Sequence, residues 1–298
     1  MAEPIISRTP DPLPTITFPP TAPHTHTVIF LHGRGDNITA FSKAIQRWRG
    51  SYGRSLPELF PSFRWVFPQA PMRQVVSLSR VPNGPVYWPQ WFDVWNASDF
   101  SEREEHQLTG LREMVPLIRR IIRREAEALG GRWDRVVLAG ISMGGATSLH
   151  TLFNLSVPEE GGGRLAAFMA FCARCPFAGR DLEGMRVVLG LPKDIEGQPS
   201  LGEDAVLRRT PMLLEHCVDD PLVKIERGRD LRDMLVAFGA QVEWKEYPNG
   251  GHWFHEPEGL DDAASFLQRV VLGNEGDPAV GKTEKDQTVQ HVDAMDLS

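Results

Sequence analysis

The sequence predicts an α/β protein built on one mostly parallel sheet with helices on both faces. Three observations predict it: strand-length runs of branched and aromatic residues recur along the chain, segments with helical period separate them, and a glycine-flanked serine stands where one such run gives way to helix-compatible residues. Parallel strands need crossover connections, and catalytic side chains are then expected on loops beyond the carboxyl ends of the strands.

The elements follow in order. "THTVIFLH" is an apolar run that ends in the glycine-rich "GRGDN", as a central strand feeding a loop does. "RWVFPQAP" repeats the pattern, and its prolines stop it. Leu108, Leu111, Val115, Ile118, Ile122 and Leu129 then form an apolar stripe on a segment whose other side is rich in Glu and Arg. Pro116 is expected to kink or break that helix. Arg119, Arg120, Arg123 and Arg124 are interleaved with Glu113, Glu125 and Glu127, so they read as a solvated face and not as an anion site. "DRVVLAG", "AAFMAFC", "TPMLLEHC" and "QVEWKEY" are further strands, while "IERGRDLRDMLVAFG" and "EPEGLDDAASFLQRVVLG" are helices that close on glycine. Residues 1–26 read as an extended proline-rich lead-in, 27–272 as one domain, and the polar 273–298 as a disordered tail.

Composition bounds the function. A chain of 298 residues, 41% hydrophobic and 24% charged, suits a soluble globular protein. Its formal net charge of −7 argues against nucleic acid as a partner, because phosphate binding needs a basic excess. No run of about 18 apolar residues is present, as a transmembrane helix would require. The N-terminus lacks the basic and apolar regions of a secretory signal. Cys172, Cys175 and Cys217 are too few for a disulfide scaffold, so a cytoplasmic location is expected. Cys172 and Cys175 have redox-motif spacing, but they follow "LAAFMAF" and meet Pro176 with no second pair to complete a zinc site; they read as buried structural thiols.

The chemistry centres on Gly140-Ile141-Ser142-Met143-Gly144, a G-x-S-x-G sequence between a strand and a helix. So tight a turn strains the central residue, and flanking glycines remove the Cβ atoms that would collide. The serine hydroxyl is thereby presented above the sheet as a candidate nucleophile, with the Met143 N–H as a candidate oxyanion donor. Serine needs a base, and the base needs an acid to orient it. His252, in "YPNGGHWFH" between the last strand and the last helix, has the position expected for the base. His255 makes an H-x-x-H pair with it, but without a third ligand nearby a metal site is not expected. His150 falls on the helix after the serine and reads as structural, and His291 lies in the tail. Asp219 and Asp220 both follow a strand, and either one qualifies as the acid or as a helix cap.

"FLHGRGDN", "FPQAPMRQVVS", "WFDVW", "GISMGGA", "DDPLV" and "GGHWF", in this order, resemble the acyl-protein thioesterase and phospholipase/carboxylesterase family of α/β-hydrolases. The resemblance spans most of 27–272. It implies a catalytic acid directly before Pro-Leu-Val, which selects Asp220, and a base at His252. It implies the backbone N–H of Arg34 as the second oxyanion donor beside that of Met143. It further implies a lid-like segment, "QAPMRQVVSLSRVPNGPVYWPQWFD", over the acyl site, with Trp91 and Phe92 near its mouth. Met143 stands where the family commonly has glutamine, Cys217 replaces a glycine, Lys224 replaces a proline, and 172–210 is longer than a compact thioesterase needs.

The expected protein is therefore a cofactor-free, metal-free serine esterase or thioesterase, acting on an acylated protein, a lipid or a small ester, with transient membrane contact through the lid as an option. The alternatives are a catalytically silent ligand-binding relative and a specialised small-molecule esterase. An altered triad would favour the silent binder, but all three triad residues are present.

Overall fold

The strongest apolar runs become the centre of a seven-stranded sheet. The computed structural model describes residues 12–78, 84–192 and 203–273. Its main sheet contains β1 (Thr15–Phe18), β2 (His26–Leu31), β3 (Phe63–Pro68), β6 (Val136–Ile141), β7 (Ala167–Phe171), β8 (Met212–Cys217) and β9 (Val242–Tyr247). They lie side by side in the order β1-β3-β2-β6-β7-β8-β9, all parallel except β1, which runs antiparallel to β3. Two short strands, β4 (Met72–Gln74) and β5 (Tyr87–Pro89), form a separate antiparallel pair. β2, β6, β7 and β8 are buried along their whole length, as strands covered on both faces must be, which explains why they read as continuous apolar runs.

Helices cover both faces. On one side α1 (Ile38–Arg47), α2 (Leu56–Leu59) and α8 (Glu258–Val271) bury Phe41, Ile45, Leu56, Phe266 and Leu267 against the sheet. On the other, α3 (His106–Ala128), α4 (Met143–Phe153), α5 (Leu182–Val187), α6 (Glu203–Arg209) and α7 (Ile225–Ala237) enclose a second core.

Three expectations need correction. Thr15–Phe18 pair with β3, so the sheet reaches into the segment that was expected to lie outside it; the alternating "TITF" completes an edge whose main-chain groups would otherwise lack partners. Pro116 does not break α3, which is one element with its apolar stripe buried on both sides of the proline through Leu111, Met114, Val115, Ile118 and Ile122. Tertiary packing here outweighs one lost backbone hydrogen bond. Arg119 and Glu125 do not belong to a solvated face: both are buried, Arg119 bonding the Pro192 carbonyl and Glu125 pairing with Arg64 and Arg124. The long segment after β7 carries α5 and α6, whose Met185, Val206 and Leu207 fill the α3–α4 face. Residues 1–11 of the lead-in, 193–202 of that segment and nearly all of the tail lie outside the described residues.

The sheet contains one costly residue. Glu215 on β8 points toward α8, its carboxylate 3.0 Å from where a Cβ on Gly259 would stand. It is fully enclosed, and among the described residues neither oxygen has a hydrogen-bond partner. Burial, with the Asp262 carboxylate nearby, pushes its pKa well above the ordinary range. The folded state therefore holds the neutral acid while the unfolded chain ionises freely. No penalty exists below the unfolded pKa near 4.5, and the cost grows as pH rises above it. Replacing Glu215 with Met should raise Tm at pH 8 by several degrees and by much less at pH 4, as thermal unfolding at the two pH values would measure. An equal shift at both would show that the carboxyl group is not the cause.

Candidate active site

The site stands at the carboxyl ends of β2, β6, β7 and β8, where the loops converge. Ser142 joins β6 to α4 with φ 55° and ψ −121°, a region that L-residues rarely occupy. Close packing enforces this strain. A Cβ on Gly140 would lie 2.5 Å from the Gly144 carbonyl, and one on Gly144 would overlap the carbonyl oxygens of Leu31, the last residue of β2, and of His32 just after it. The Ser142 N–H donates to the Phe171 carbonyl at 2.8 Å and the Ser142 carbonyl accepts from Ala146 N–H at 3.0 Å, so the turn is clamped on both sides.

His252 Nε2 lies 2.8 Å from Ser142 Oγ, and His252 Nδ1 lies 2.7 Å from Asp220 Oδ2. Burial alone would raise the Asp220 pKa, but hydrogen bonds from His216 and His252, with the Val223 N–H, outweigh it and hold the carboxyl well below its usual range. An ionised carboxylate only accepts, so Nδ1 carries the proton and Nε2 has its lone pair free for the serine hydroxyl.

The two aspartates divide their work. Asp220 is buried, its Oδ1 accepting from Leu222 N–H at 2.8 Å and Val223 N–H at 2.9 Å. Asp219 does not face His252; its Oδ1 accepts from the Gly251 N–H at 2.8 Å and tethers the histidine loop. Phe254 anchors the same loop from below, stacked on Trp48 at 4.4 Å, while Trp48 Nε1 donates to the His255 carbonyl at 3.0 Å. His255 is held by the Asn249 carbonyl and Glu258, and His150 by the Pro176 carbonyl, so both have structural partners.

The β2–α1 loop supplies a second row of N–H groups. His32 Nε2 accepts from Ala70 N–H at 3.1 Å, so its proton is on Nδ1 and is donated to the Gly33 carbonyl at 2.7 Å. Burial keeps this ring neutral by lowering its pKa. In a trans peptide the N–H points opposite to the carbonyl, so anchoring Gly33 C=O turns the Arg34 N–H the other way. Among the described residues that N–H donates to no backbone carbonyl. Met143 N–H, at the first position of α4, has no intrahelical acceptor either.

Ser142 and His252 open onto a cavity of about 500 Å³ lined also by Arg34, Met143, Phe92 and Trp88. Phe92 is in this wall. Trp91 is not at the mouth: it is 0% exposed and its Nε1 donates to the His32 carbonyl at 2.8 Å, so it braces the β2–α1 loop from behind. The mouth instead carries Trp88 and Trp253, each 40% exposed. The β4–β5 pair, with Val75 and Ser77, forms the described part of the lid-like segment; residues 79–83 lie outside it.

Sequence reasoning gave no role to His216. Its Nε2 lies 2.7 Å from the Val223 carbonyl and 3.3 Å from Asp220 Oδ2, so it carries a proton that the Val223 carbonyl accepts, and the N–H stands beside the carboxylate that holds His252. Its spacing four residues before Asp220, at the end of a strand, was the available signal. Cys172, Asp220 and His252 bring ligand-type atoms within 4.8 Å of one another. The neighbouring Cys217 thiol and burial push the Cys172 thiol well above its ordinary pKa, and a protonated thiol is a poor metal ligand. Its Sγ instead donates to the Trp253 carbonyl at 3.3 Å. All three cysteines are free thiols, as the sequence predicts.

A serine on a strained strand–helix turn, bonded to a histidine that is bonded to a buried aspartate, is the geometry of an α/β-hydrolase site, and residues 15–180 match the phospholipase/carboxylesterase family model. The chain belongs to this family. Acyl-protein thioesterase 1 of Gibberella zeae is 28% identical over 258 residues, covering 86% of this chain and 95% of that protein. The acyl-protein thioesterase 1 of Neurospora crassa is 27% identical, covering 80% and 84%. Among solved structures, acyl-protein thioesterase 2 of Zea mays superposes with a TM-score of 0.64 at 24% identity, covering 87% of this chain and 99% of that one. The fold is that of the α/β-hydrolases, and the protein is an ester or thioester hydrolase.

Because Gly144 touches β2 backbone, Gly144→Ala should destabilise the protein by about 3 kcal/mol, measured by urea unfolding. A loss below about 0.5 kcal/mol would show that the turn is not clamped as described.

Proposed function

We propose that the enzyme cleaves carboxylic esters and thioesters through an acyl-enzyme formed on Ser142. The unbroken hydrogen-bond chain Ser142–His252–Asp220 at the cavity wall carries this reading. His252 Nε2 takes the Ser142 proton as Oγ attacks the acyl carbon, and Asp220 stays ionised and stabilises the imidazolium. The Arg34 and Met143 N–H groups receive the oxyanion at the N-terminus of the eleven-residue α4, whose dipole favours negative charge. His252 then returns the proton to the departing alcohol or thiol. Water repeats the cycle and releases the acid.

His216 and Trp91 act as positioning residues, the first on Asp220 and the second on the loop that carries the Arg34 N–H. The thioesterase names of the relatives support an S-acylated protein as one substrate class, and the apolar side chains of the cavity suit an acyl chain. The three free thiols suit a reducing compartment, so we expect the enzyme to act in the cytoplasm.

The test is fluorophosphonate labelling of the purified chain, with hydrolysis of p-nitrophenyl esters from acetate to palmitate and of an S-palmitoylated peptide. Ser142→Ala should abolish labelling and lower kcat roughly 10⁵-fold or more. Asp220→Asn should lower kcat about 10⁴-fold, because the amide favours the wrong histidine tautomer. Asp219→Asn, which touches only the loop tether, should cost less than about tenfold. A folded wild type that neither labels nor turns over any of these substrates would overturn the hydrolase mechanism in favour of ligand binding. Inverted ranking of the two aspartates would reassign the acid.

A further inference from the structure

The cavity contains a cation that the hydrolase mechanism does not use. Arg174 stands on the turn leaving β7, and the preceding Ala173 packs on the first turn of α4, its Cβ 2.8 Å from where a Cβ on Gly145 would be. The Arg174 guanidinium carbon lies 3.9 Å from the Phe100 ring centre, and Phe100 and Arg174 both line the cavity that opens on Ser142. The side chain is only 6% exposed. Its Nη2 donates to Gln107 Oε1 at 2.8 Å, a neutral acceptor. Among the described residues no carboxylate forms an ion pair with it. Glu104 attracts it and lines a second, smaller cavity with it, but Glu104 is not in the wall of the cavity that opens on Ser142, and its Oε1 accepts the Phe177 N–H at 2.6 Å.

Burial lowers the Arg174 pKa to about 10, which still leaves a full positive charge at neutral pH. An arginine offers five N–H donors, and a buried one served by a single amide is poorly compensated. A hydrocarbon chain alone would gain nothing from it. The other charged liners, Arg34 and Asp36, belong to the β2–α1 loop, and Arg34 is already bonded to Gln90 Oε1 at 2.8 Å.

Resting on the hydrolase reading above, we propose that Arg174 receives a carboxylate at the far end of the acyl chain, so that half-esters and half-thioesters of dicarboxylic acids are preferred over neutral acyl esters. The planar guanidinium, with one face on Phe100 and one edge on Gln107, has its remaining donors free for such a carboxylate. Phe92 and Ala146, in the wall of the same cavity, would hold the methylene chain.

The test compares 4-nitrophenyl half-esters of six-, eight- and ten-carbon dicarboxylic acids with 4-nitrophenyl alkanoates of equal length, using the full chain. A charge-assisted bond in a buried site predicts that kcat/KM at the best-fitting length favours the half-ester by about tenfold or more, mainly through KM. In Arg174→Met that ratio should fall at least about tenfold, and Arg174→Lys should restore part of it. Neutral esters preferred at every length by the wild type would overturn the proposal, with no need for a variant. So would an unchanged ratio in a folded Arg174→Met, which would leave Arg174 as a brace for Phe100 and Gln107. An advantage seen only when the carboxylate is on the leaving group would overturn the acyl assignment. Fluorophosphonate labelling separates the two levels: a wild type that labels but ignores the carboxylate sinks only the role of Arg174, whereas one that does not label sinks the hydrolase reading itself.

Discussion

The close approach of β6, α4 and β2 at Gly140 and Gly144 is the constraint on which the site depends. Because Gly140 and Gly144 have no Cβ, the chain can reverse within one residue, and that residue, Ser142, is forced to a positive φ. The same contact presses α4 against the Leu31 and His32 carbonyls, which brings the loop after β2 alongside the serine. One packing contact thus positions both the hydroxyl and the facing N–H groups. Neither would survive a looser turn, since the strain at Ser142 persists only while its neighbours hold it.

Buried charge is arranged unevenly around this turn. Asp220 is an anion with donors on every side: two backbone N–H groups on Oδ1, and His216 and His252 on Oδ2. Such a carboxylate stays ionised and does not take the proton that His252 carries. Glu215, one strand position before His216 but on the opposite face, has no such donors and is held neutral. Two carboxyl groups five residues apart therefore differ in charge because their surroundings differ. Arg174 is the cation of the set, and its single amide partner leaves its charge available to whatever enters the cavity.

Much of this was legible in the residues. The G-x-S-x-G turn, the base after the last strand and the parallel sheet all follow from local pattern, because backbone strain and apolar periodicity are local properties. Local pattern left Asp219 and Asp220 open, since both follow the same strand; the resemblance selected Asp220, and it is Asp220 that meets His252 while Asp219 meets Gly251. Trp91 and Phe92 are adjacent aromatics that sequence treats alike, yet one faces the core and the other the cavity. Arg119 looked solvated because its neighbours are charged, and it is buried under a segment more than seventy residues away. His216 and Arg174 gave no motif, since their importance lies in what they face.

Selectivity within a shared fold must come from the loops at the strand ends, and here the Cys172–Cys175 turn is the loop that brings Arg174 to the cavity wall. The described parts of α5 and α6 add bulk behind α4 without reaching the cavity. The turn itself is rigid. Cys172 sits at φ 47° with its N–H on the Glu215 carbonyl and its thiol on the Trp253 carbonyl; Cys175 Sγ and His150 Nε2 both converge on the Pro176 carbonyl. These contacts tie the turn to the histidine loop at one end and to α4 at the other. The thiols act as small donors that fix backbone, and their reactivity has no part in it. Arg174 is thereby held between two anchored residues, next to the first turn of the helix that carries the serine. A cation placed with so little freedom loses little entropy when it binds an anion, which fits this turn for the charge selection proposed above.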